Sequence, residues 1–344
     1  MPHSKKILVT GGAGYIGAHT SVELIQQGYA PVIVDNFSKS DRTLLNGMAE
    51  ITNSKINFHE GDCADRNFLR KIFKLEPEIE AVMHFAAYKS VGESVEQPLK
   101  YYENNIGSLI ALLEIMRESR IRNFIFSSSC TVYGQPDSIP VDEQAPFKRA
   151  ESPYGATKQM CERILEDAVF SNPELRVISL RYFNPVGAHP SALMGELPLD
   201  VPENLVPFVT QTAAGIRKKL IIFGKDYSTP DGTCLRDFID IVDLARAHVV
   251  ALGKMLSPAG LEPYEVFNLG SGEGVSVLQL VNKFIEVTGV PLLYEIGPRR
   301  PGDVEKTYAN PSKALRKLGW KTNNTIADAL LHAWNWQKKL SNIP

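Results

Sequence analysis

Short apolar runs alternate with helix-like stretches through the first half of the chain. The runs are KILVT, APVIVD, KINFHEGD, EAVMHFAA, RNFIFSSS and LRVISLRYFN. Their nearly continuous hydrophobicity is typical of strands buried on both faces, as in a parallel sheet. The stretches between them, such as ATKQMCERILEDAVF, carry apolar residues at helical spacing. This alternation predicts an α/β fold with a doubly wound parallel sheet and right-handed crossovers.

The rhythm changes after about residue 185. The stretch NPVGAHPSALMGELPLDVPENL carries little regular signal, and shorter elements such as EVFNLG, LLYEI and SKALRKLG follow. We interpret residues 1–185 as one domain and residues 186–344 as a smaller α/β lobe at the carboxyl edge of the sheet. The segment near residues 236–255, RDFIDIVDLARAHVVAL, could return to the first domain.

Composition narrows the function classes. The chain has 344 residues, a net charge of -2 and a hydrophobic content of 44%. We therefore expect no nucleic-acid partner and no membrane partner, since no global field attracts either and no run reaches membrane-spanning length. The cysteines form no C-x-x-C pair, which argues against a zinc site or a disulfide framework, so no metal is expected. The four cysteines favour a reducing, cytoplasmic setting. They are Cys63, Cys130, Cys161 and Cys234.

A glycine-rich turn follows the first predicted strand in ILVTGGAGYIG. Gly11, Gly14 and Gly17 would allow backbone to approach a pyrophosphate at a helix N-terminus. Asp35 ends the next strand, about 20 residues on, where an acid binds ribose hydroxyls, and no arginine follows it directly. The pattern predicts a Rossmann-type domain that binds NAD rather than NADP. Asp62 also ends a strand, where it could contact adenine or cap the next helix.

A candidate catalytic set lies further along the chain. SPYGATK places Tyr154 and Lys158 one helical turn apart, an arrangement that is usually only surface decoration. FIFSSSCTVYG places Ser129 at the carboxyl end of a buried strand, where serines are commonly loop formers. A serine at a strand end and Tyr-x-x-x-Lys in a dinucleotide fold together predict acid/base chemistry. Tyr154 would be the base, and Lys158 would lower its pKa.

At this point the chain resembles the extended branch of the short-chain dehydrogenase/reductase superfamily and, within it, the UDP-glucose 4-epimerase family. The resemblance runs almost end to end. The segments that carry it are TGGAGYIG, VDNFSKS, HFAAYKSVGESVEQPLKYYENN, FSSSCTVYG, SPYGATK, LRYFNPVGAHPS, DGTCLRDFIDIVDLARAHV, FNLGSG and PRRPGD.

The resemblance implies a role for each matching residue. The implied catalytic residues are Ser129, Tyr154 and Lys158. The implied NAD-binding residues are Gly11, Gly14, Tyr15, Ile16, Gly17, Asp35, Asn36, Asp62, Cys63, Phe85, Ala86, Lys89, Asn104, Ser127, Tyr154, Lys158 and Phe183. The implied substrate-binding residues are Lys89, Ser129, Tyr154, Asn184, Asn204, Arg236, Arg300, Asp303 and Thr307. Two long helices, in LKYYENNIGSLIALLEIMRES and ATKQMCERILEDAVF, would form a homodimer.

The activity implied is 4-epimerisation of UDP-sugars through a bound 4-keto sugar, with NAD retained as the cofactor. The small Thr307 would also admit UDP-GlcNAc and UDP-GalNAc. A 4,6-dehydratase is an alternative, although SCTVYG lacks the acidic pair that it needs. A UDP-glucuronate decarboxylase is compatible with the sequence as well. So is a catalytically silent NAD-sensing or scaffold protein, although such a protein would tolerate loss of the catalytic set, which is present in full.

Overall fold

The computed structural model describes residues 4–257, 260–300 and 303–343, and the chain divides into two compact units. Each unit is assembled from separate stretches of the chain. The first unit consists of Met1–Gly134, Phe147–Arg181 and Ala245–Phe267, and the second of Gln135–Pro146, Tyr182–Leu244 and Asn268–Pro344. The sequence placed the main boundary at residues 185 and 186 and left open a return to the first domain near residues 236–255. Residues 245–267 do group with the first unit, and residues 135–146 group with the second.

The first six strands match the six apolar runs of the sequence, and eight further strands follow in the described part of the chain. In chain order they are β1 (Lys6–Thr10), β2 (Ala30–Asp35), β3 (Asn57–Glu60), β4 (Ile79–His84), β5 (Asn123–Ser129), β6 (Arg176–Tyr182), β7 (Asn184–Val186), β8 (Leu220–Phe223), β9 (Leu235–Arg236), β10 (Phe238–Asp240), β11 (Tyr264–Leu269), β12 (Val275–Ser276), β13 (Tyr294–Gly297) and β14 (Lys306–Thr307).

Helices fill most of the intervals between these strands. They are α1 (Tyr15–Gln26), α2 (Thr43–Thr52), α3 (Arg66–Leu75), α4 (Val91–Glu96), α5 (Pro98–Glu118), α6 (Pro153–Ser171), α7 (Leu205–Ala213), α8 (Ile241–Met255), α9 (Val277–Thr288) and α10 (Ile326–Leu340). A 3-10 turn occupies Cys130–Tyr133 and a π-helical turn occupies Ala314–Leu318.

The first unit is built on a seven-stranded parallel sheet with the strand order β11-β6-β5-β4-β1-β2-β3. The order reverses between β1 and β4, which is the point where ligands bind in doubly wound folds. Thr10 pairs with both Val34 and His84, so β1, β2 and β4 end at the same edge. The loops after these strands therefore begin side by side. The predicted Rossmann-type fold is confirmed.

The apolar core of the first unit lies between this sheet and its helices. Strand residues such as Leu8, Val82 and Phe124 are buried against Leu112 of α5 and Leu165 of α6. Because the strands are covered on both faces, their sequences carry continuous apolar runs rather than alternation. This burial makes the sheet a rigid platform for the loops at its carboxyl edge.

The second unit contains smaller sheets, with β7 paired to β10, β13 to β8, and β9 between β12 and β14. Its core includes Val209 of α7, Phe284 of α9 and Trp334 of α10. The stretch after residue 185 that was expected to lack regular structure contains only the end of β7 and an isolated bridge between Ala188 and Gly195 before α7 begins.

One element assignment from the sequence is wrong. EVFNLG was placed in the smaller lobe, but it forms β11, the strand beside β6 at the edge of the seven-stranded sheet. Backbone bonds from Val177 to the carbonyl of Pro263 and from Phe183 to that of Leu269 bracket this pairing. Sequence pattern cannot reveal it, because the partner strand lies about 86 residues earlier and no local signal specifies a partner.

Candidate active site

The glycine-rich turn between β1 and α1 leaves no room for side chains. Gly11 has φ +68, and a Cβ there would lie 2.6 Å from the backbone nitrogen of Ala86. A Cβ on Gly17 would lie 2.3 Å from the carbonyl oxygen of Gly11. Gly14 caps α1 without a side-chain hydrogen bond, and the first turn, which includes Tyr15 and Ile16, holds no acid. Such a helix N-terminus is suited to a pyrophosphate.

Asp35, at the end of β2, ties this turn to the next loop. Its Oδ2 accepts a hydrogen bond from the backbone of Ala13 at 3.0 Å, and its Oδ1 accepts from Phe37 and from the hydroxyl of Ser40. A carboxylate offers about four lone-pair positions, so about one remains for a ligand hydroxyl. Asp35 therefore stabilises the loop as well as being placed for a ribose.

Asp62 and Asn36 lie together at the ends of neighbouring strands, with Asn36 Nδ2 3.5 Å from Asp62 Oδ2. The alternative that Asp62 caps the following helix is wrong. Asp65 is the N-cap of α3, since its side chain accepts hydrogen bonds from the backbone of Asn67 and Phe68. Asp62 is exposed, and the neighbouring Cys63 is buried, which raises the pKa of its thiol to about 12. Cys63 is thus inert packing beside an accessible carboxylate.

The loop after β4 supplies the other wall of the glycine turn. The backbone of Phe85 bonds to Thr10, and Ala86 lies against Gly11. Asn105 of α5, which no sequence motif singles out, holds this loop through two hydrogen bonds to the backbone of Tyr88. Both predicted cofactor residues here adjoin this contact: Lys89 follows Tyr88 in the chain, and Asn104 precedes Asn105 and donates to its side-chain oxygen.

Helix α6 begins as its sequence predicts. Ser152 caps it, accepting a hydrogen bond from the backbone of Gly155, and Pro153 occupies the first turn. The helix then presents Tyr154 and Lys158 to the end of β5. Lys158 Nζ donates to the carbonyl oxygen of Ser127 at 2.6 Å and lies 5.9 Å from the centre of the Tyr154 ring.

Ser129, Tyr154 and Lys158 are therefore brought together within the first unit. The Ser129 hydroxyl accepts a hydrogen bond from the backbone of Thr131, which leaves its own proton to donate to Tyr154. Burial raises the pKa of Tyr154 to about 12, and the bond with Ser129 offsets part of that rise. Burial lowers the pKa of Lys158 to about 8, because desolvation disfavours the ammonium.

One expectation about this set needs correction. The Tyr-x-x-x-Lys spacing predicts that Lys158 lowers the pKa of Tyr154. In this structure Ser129 lowers it instead, while the Lys158 ammonium is directed to the Ser127 carbonyl. His84, at the end of β4, is buried and bonded to Thr10, and its pKa is lowered to about 3. A neutral His84 adds no charge to the set.

A buried ion pair, which the sequence motifs did not reveal, lies one turn behind Lys158. Glu162 accepts hydrogen bonds from Arg181 of β6 at 2.6 to 3.2 Å, and both side chains are almost completely buried. Ser128 also donates to Glu162, and Arg181 donates to the phenol of Tyr133 at 2.9 Å. The available signal was the position of Glu162, four residues after Lys158 on one helix face.

In the second unit, one carboxylate holds two arginines. Asp303 Oδ1 lies 2.7 Å from Arg300 and 3.6 Å from Arg236. The pair of guanidinium groups suits a diphosphate, which arginine binds bidentately. Pro301 and Gly302 of the PRRPGD segment lie outside the described residues.

Thr307 lies on the same small sheet as Arg236. The two residues are register partners in the parallel pair β14 and β9, and Thr307 is buried. Paired residues direct their side chains to one face of a sheet, and neighbours along a strand alternate. Tyr308 accordingly packs its ring against Gly274, where an added Cβ would lie 2.9 Å from it.

Asp237 binds backbone groups around this sheet, although no sequence motif assigns it a role. It is fully buried, and it accepts hydrogen bonds from the backbone of Ser271, Gly272 and Ala309 and from the Ser271 hydroxyl. Burial raises its pKa, while these donors lower it. Ala309 follows Thr307 by two residues, so Asp237 anchors the strand that carries Thr307.

The remaining predicted substrate residues also lie in the second unit. Asn184 begins β7, and its side-chain Oδ1 is enclosed yet accepts no hydrogen bond from the part of the chain that the structure describes. Such an oxygen is the kind of group that a ligand donor satisfies. Phe183 is buried beside it, and Asn204 caps α7 while donating to Glu196 at 2.5 Å.

Known proteins resemble this chain over nearly its whole length. A family model described as GDP-mannose 4,6 dehydratase matches residues 8–331. The UDP-glucose 4-epimerase of Dictyostelium discoideum is 49% identical over 336 residues, which cover 98% of this chain and 96% of that protein. The same-named enzyme of Bacillus subtilis is 48% identical over 337 residues, covering 98% and 97%.

A solved structure of a UDP-glucose 4-epimerase has the same fold as this chain. The UDP-glucose 4-epimerase of Bifidobacterium longum, in complex with NAD+ and UDP, has a TM-score of 0.94 at 43% identity and covers 98% of this chain and 100% of its own. The fold, with a strand-end serine and Tyr-x-x-x-Lys, defines an extended short-chain dehydrogenase/reductase. Within that class the chain belongs to the UDP-glucose 4-epimerase family.

Proposed function

We propose that this chain epimerises UDP-glucose and UDP-galactose at C4 and keeps NAD bound as its cofactor. The observation that carries the proposal is the set of contacts between β5 and α6. Ser129 meets Tyr154, and the carbonyl of Ser127 meets Lys158, in a chain of the epimerase family. That arrangement is suited to moving a proton on a sugar hydroxyl.

The residues of the first unit fit NAD. The uncapped N-terminus of α1 would receive the pyrophosphate, and Asp35 would accept a ribose hydroxyl. Bound NAD would accept a hydride from C4 of the sugar and return it, so none is consumed overall. The other groups of the first unit that we propose for NAD are Tyr15, Ile16, Asn36, Asp62, Cys63, Phe85, Ala86, Lys89, Asn104, Ser127 and Lys158. Phe183, which directly follows β6, is proposed as well.

Proton transfer is the work of the chain itself. Tyr154 removes the proton of the C4 hydroxyl and later returns it, while Ser129 donates a hydrogen bond to the same oxygen. A phenol with a pKa of about 12 is a weak base at neutral pH, so the working site needs positive charge beside Tyr154. We propose that Lys158, 5.9 Å from the ring centre of Tyr154, contributes it when NAD is bound, although in this structure its ammonium is directed to the Ser127 carbonyl.

The second unit would hold the nucleotide diphosphate while the sugar turns. Arg236 and Arg300 are proposed to bind the phosphates, and Asn184 and Asn204 to bind the sugar and the nucleotide. A keto sugar must expose each face in turn, so the anchor has to be strong and the sugar pocket roomy. Two arginines held by one carboxylate supply the strong anchor.

Thr307 supports a wider substrate range. Its small side chain shares a sheet face with Arg236, and the larger Tyr308 is directed to Gly274. We therefore include UDP-GlcNAc and UDP-GalNAc among the proposed substrates, because an acetamido group needs volume that a large residue would fill.

We also propose a homodimer and a cytoplasmic setting. Helices α5 and α6 pack against each other and leave Leu99 and Phe170 79% and 88% exposed. Burying such side chains against a second copy would be favourable. The cysteines are free thiols, which suits a reducing compartment. Over residues 4–257, 260–300 and 303–343, no helix has the length and apolar character needed to cross a membrane.

A structural argument weighs directly against a 4,6-dehydratase. The turn that follows Ser129 contains Cys130, Thr131, Val132 and Tyr133 and therefore brings no carboxylate to the end of β5. Elimination of water needs an acid and a base at that point. The name of the matched family model thus describes the broad family rather than the reaction proposed for this chain.

The main proposal is tested by assaying the purified protein for epimerase activity and for bound NAD. It should convert UDP-galactose into UDP-glucose without added cofactor, and the supernatant after denaturation should contain NAD. A protein that needs added NADP and releases no NAD would contradict the proposed cofactor. A protein that contains NAD but leaves UDP-galactose unchanged would contradict the proposed reaction and favour a silent NAD-binding protein.

A further inference from the structure

Three consecutive serines at the end of β5 contact three successive turns of α6. The Ser129 hydroxyl meets Tyr154, the Ser127 carbonyl accepts from Lys158, and the Ser128 hydroxyl donates to Glu162. Tyr154, Lys158 and Glu162 are spaced four residues apart, so they share one face of the helix. The first two contacts belong to the proposed chemistry, and the third has no role in it.

We infer that Glu162 is a positioning residue of this site, an inference that rests on the proposed epimerase function. The Glu162 carboxylate is held by Arg181 and accepts a hydrogen bond from Ser128, which fixes the end of β5 against α6. Ser128 is fully buried, and Glu162 is 2% exposed, so water does not compete for this contact. The register of the strand against the helix then determines the geometry at Tyr154 and Lys158.

The ion pair is itself rigid, which makes it an effective anchor. Arg181 donates to both carboxylate oxygens of Glu162 and to the phenol of Tyr133, and its guanidinium lies 5.0 Å from the ring centres of Tyr133 and Phe147. A guanidinium that donates several hydrogen bonds and lies over two rings cannot rotate without breaking several contacts. Glu162 is consequently fixed relative to β6 and to the turn after β5.

The charge of Glu162 has a second effect, on Lys158. The titratable groups that face Lys158 are Tyr154, Cys161 and Glu162 on its own helix and His84 on β4. The thiol of Cys161 has its pKa raised to about 12 by burial, and the pKa of His84 is lowered to about 3, so both are neutral near pH 7. Glu162 is then the anion that helps Lys158 to keep its proton in a buried position.

The first experiment separates positioning from folding. Ser128→Ala removes the link to β5 and leaves the ion pair intact, and Ser179→Ala is the matched control. Ser179 is equally buried on the neighbouring strand β6, but its hydroxyl is 3.4 Å from the phenol of Tyr264 instead of bonding to Glu162. We expect Ser128→Ala to lower kcat about 10-fold with KM unchanged, since small misplacement of reacting groups is costly. Both variants should melt at similar temperatures.

The second experiment uses Glu162→Gln and needs no activity. The ε-amino group of Lys158 is titrated by NMR in protein with isotope-labelled lysine, and Lys158→Met assigns the signal. We expect Glu162→Gln to move this titration to lower pH, because the anion is lost and Arg181 is left unpaired nearby. Ser128→Ala keeps the charge and should leave the Lys158 titration where it is in the wild type.

Each result has a defined meaning. Equal kcat in Ser128→Ala and Ser179→Ala would overturn the positioning role, even if Glu162→Gln fails to fold. An unchanged Lys158 titration in a folded Glu162→Gln variant would overturn the role of the charge. A wild type that is inactive on UDP-galactose would refute the proposed function instead, and the NMR titration would still test the link between Glu162 and Lys158.

Discussion

Thr307 and Arg236 are register partners in the parallel pair of strands β14 and β9, and their side chains share one face of that small sheet. Arg236 is also 3.6 Å from Asp303, which bonds to Arg300. The residue proposed to limit the size of the sugar is thereby coupled by backbone hydrogen bonds to the residues proposed to hold the phosphates. If the proposed site is right, a change at Thr307 alters the sugar pocket beside the proposed phosphate anchor.

We expect Thr307→Tyr to slow conversion of UDP-GlcNAc to UDP-GalNAc about 5- to 150-fold and to preserve conversion of UDP-galactose. Overpacking a filled pocket typically costs about 1 to 3 kcal/mol, and here the cost would apply to the N-acetylated sugar, which needs the larger volume. Coupled assays on both substrate pairs measure the change. Thr307→Val, which has the same shape, should keep both reactions. A wild type inert toward UDP-GlcNAc would contradict the wider range.

Tyr154→Phe should lower kcat about 10²- to 10⁴-fold, as expected when a general acid/base is removed. The fold and the bound nucleotide should be retained, because phenylalanine keeps the ring and removes only the hydroxyl that meets Ser129. Turnover with UDP-galactose and NAD content after denaturation are measured together. Tyr294→Phe on β13 is the control and should behave as the wild type does. Wild-type turnover in Tyr154→Phe would assign the base to another group.

Lys158→Met should inactivate the enzyme and yet stabilise it at pH 7. A buried lysine with a pKa of about 8, against an ordinary value of 10.5, makes folding with its proton roughly 3 kcal/mol less favourable. Below pH 8 the folded and unfolded chains both hold the proton, so the penalty is constant. Between pH 8 and 10.5 only the unfolded chain holds it, so the stability of the wild type rises with pH and the gap to the variant narrows.

Denaturant unfolding across this pH range checks the prediction on Lys158. The difference between Lys158→Met and the wild type should be largest at pH 7 and should shrink toward pH 10. Comparing the two chains cancels the buried thiol of Cys63, which is present in both. A difference that grows with pH would mean that Lys158 is stabilised as the ammonium.

Gly11→Ala should destabilise the chain far more than Gly28→Ala. Both glycines have positive φ, at +68 and +82, so both substitutions carry the left-handed penalty of about 1 to 2 kcal/mol. Only at Gly11 does the new Cβ also meet backbone, at 2.6 Å from Ala86, whereas nothing lies within 4 Å at Gly28. Melting temperature and NAD content report the two effects. Equal losses in both variants would mean that the crowding at Gly11 is unimportant.

Local chemistry explains which features the sequence predicts well. The strand KILVT and the glycine turn after it need only neighbours in sequence, and the structure places them as expected. The start of α6 is likewise local, because Ser152 and Pro153 specify it. Tyr154 and Lys158 then share a face as a direct result of helical spacing.

Features that depend on distant partners could not be predicted in this way. Glu162 looks like an ordinary surface charge in sequence, since nothing local shows that α6 and β6 bury it against Arg181. Asp237 presents the same difficulty, because the backbone groups that bond to it lie 34, 35 and 72 residues later. The pKa of Tyr154 was misjudged because burial, unlike helical spacing, is not visible in a motif.

The chain passes between the two units repeatedly, and this limits how it can be dissected. A fragment ending near residue 185 would contain the glycine turn, Tyr154 and Lys158, yet it would lack β11, the neighbour of β6. The exposed edge of β6 would then offer unpaired backbone groups to other molecules and favour aggregation. Neither unit can therefore be moved to another protein as one continuous segment. A chimaera of two relatives has to exchange all the separate stretches of a unit together.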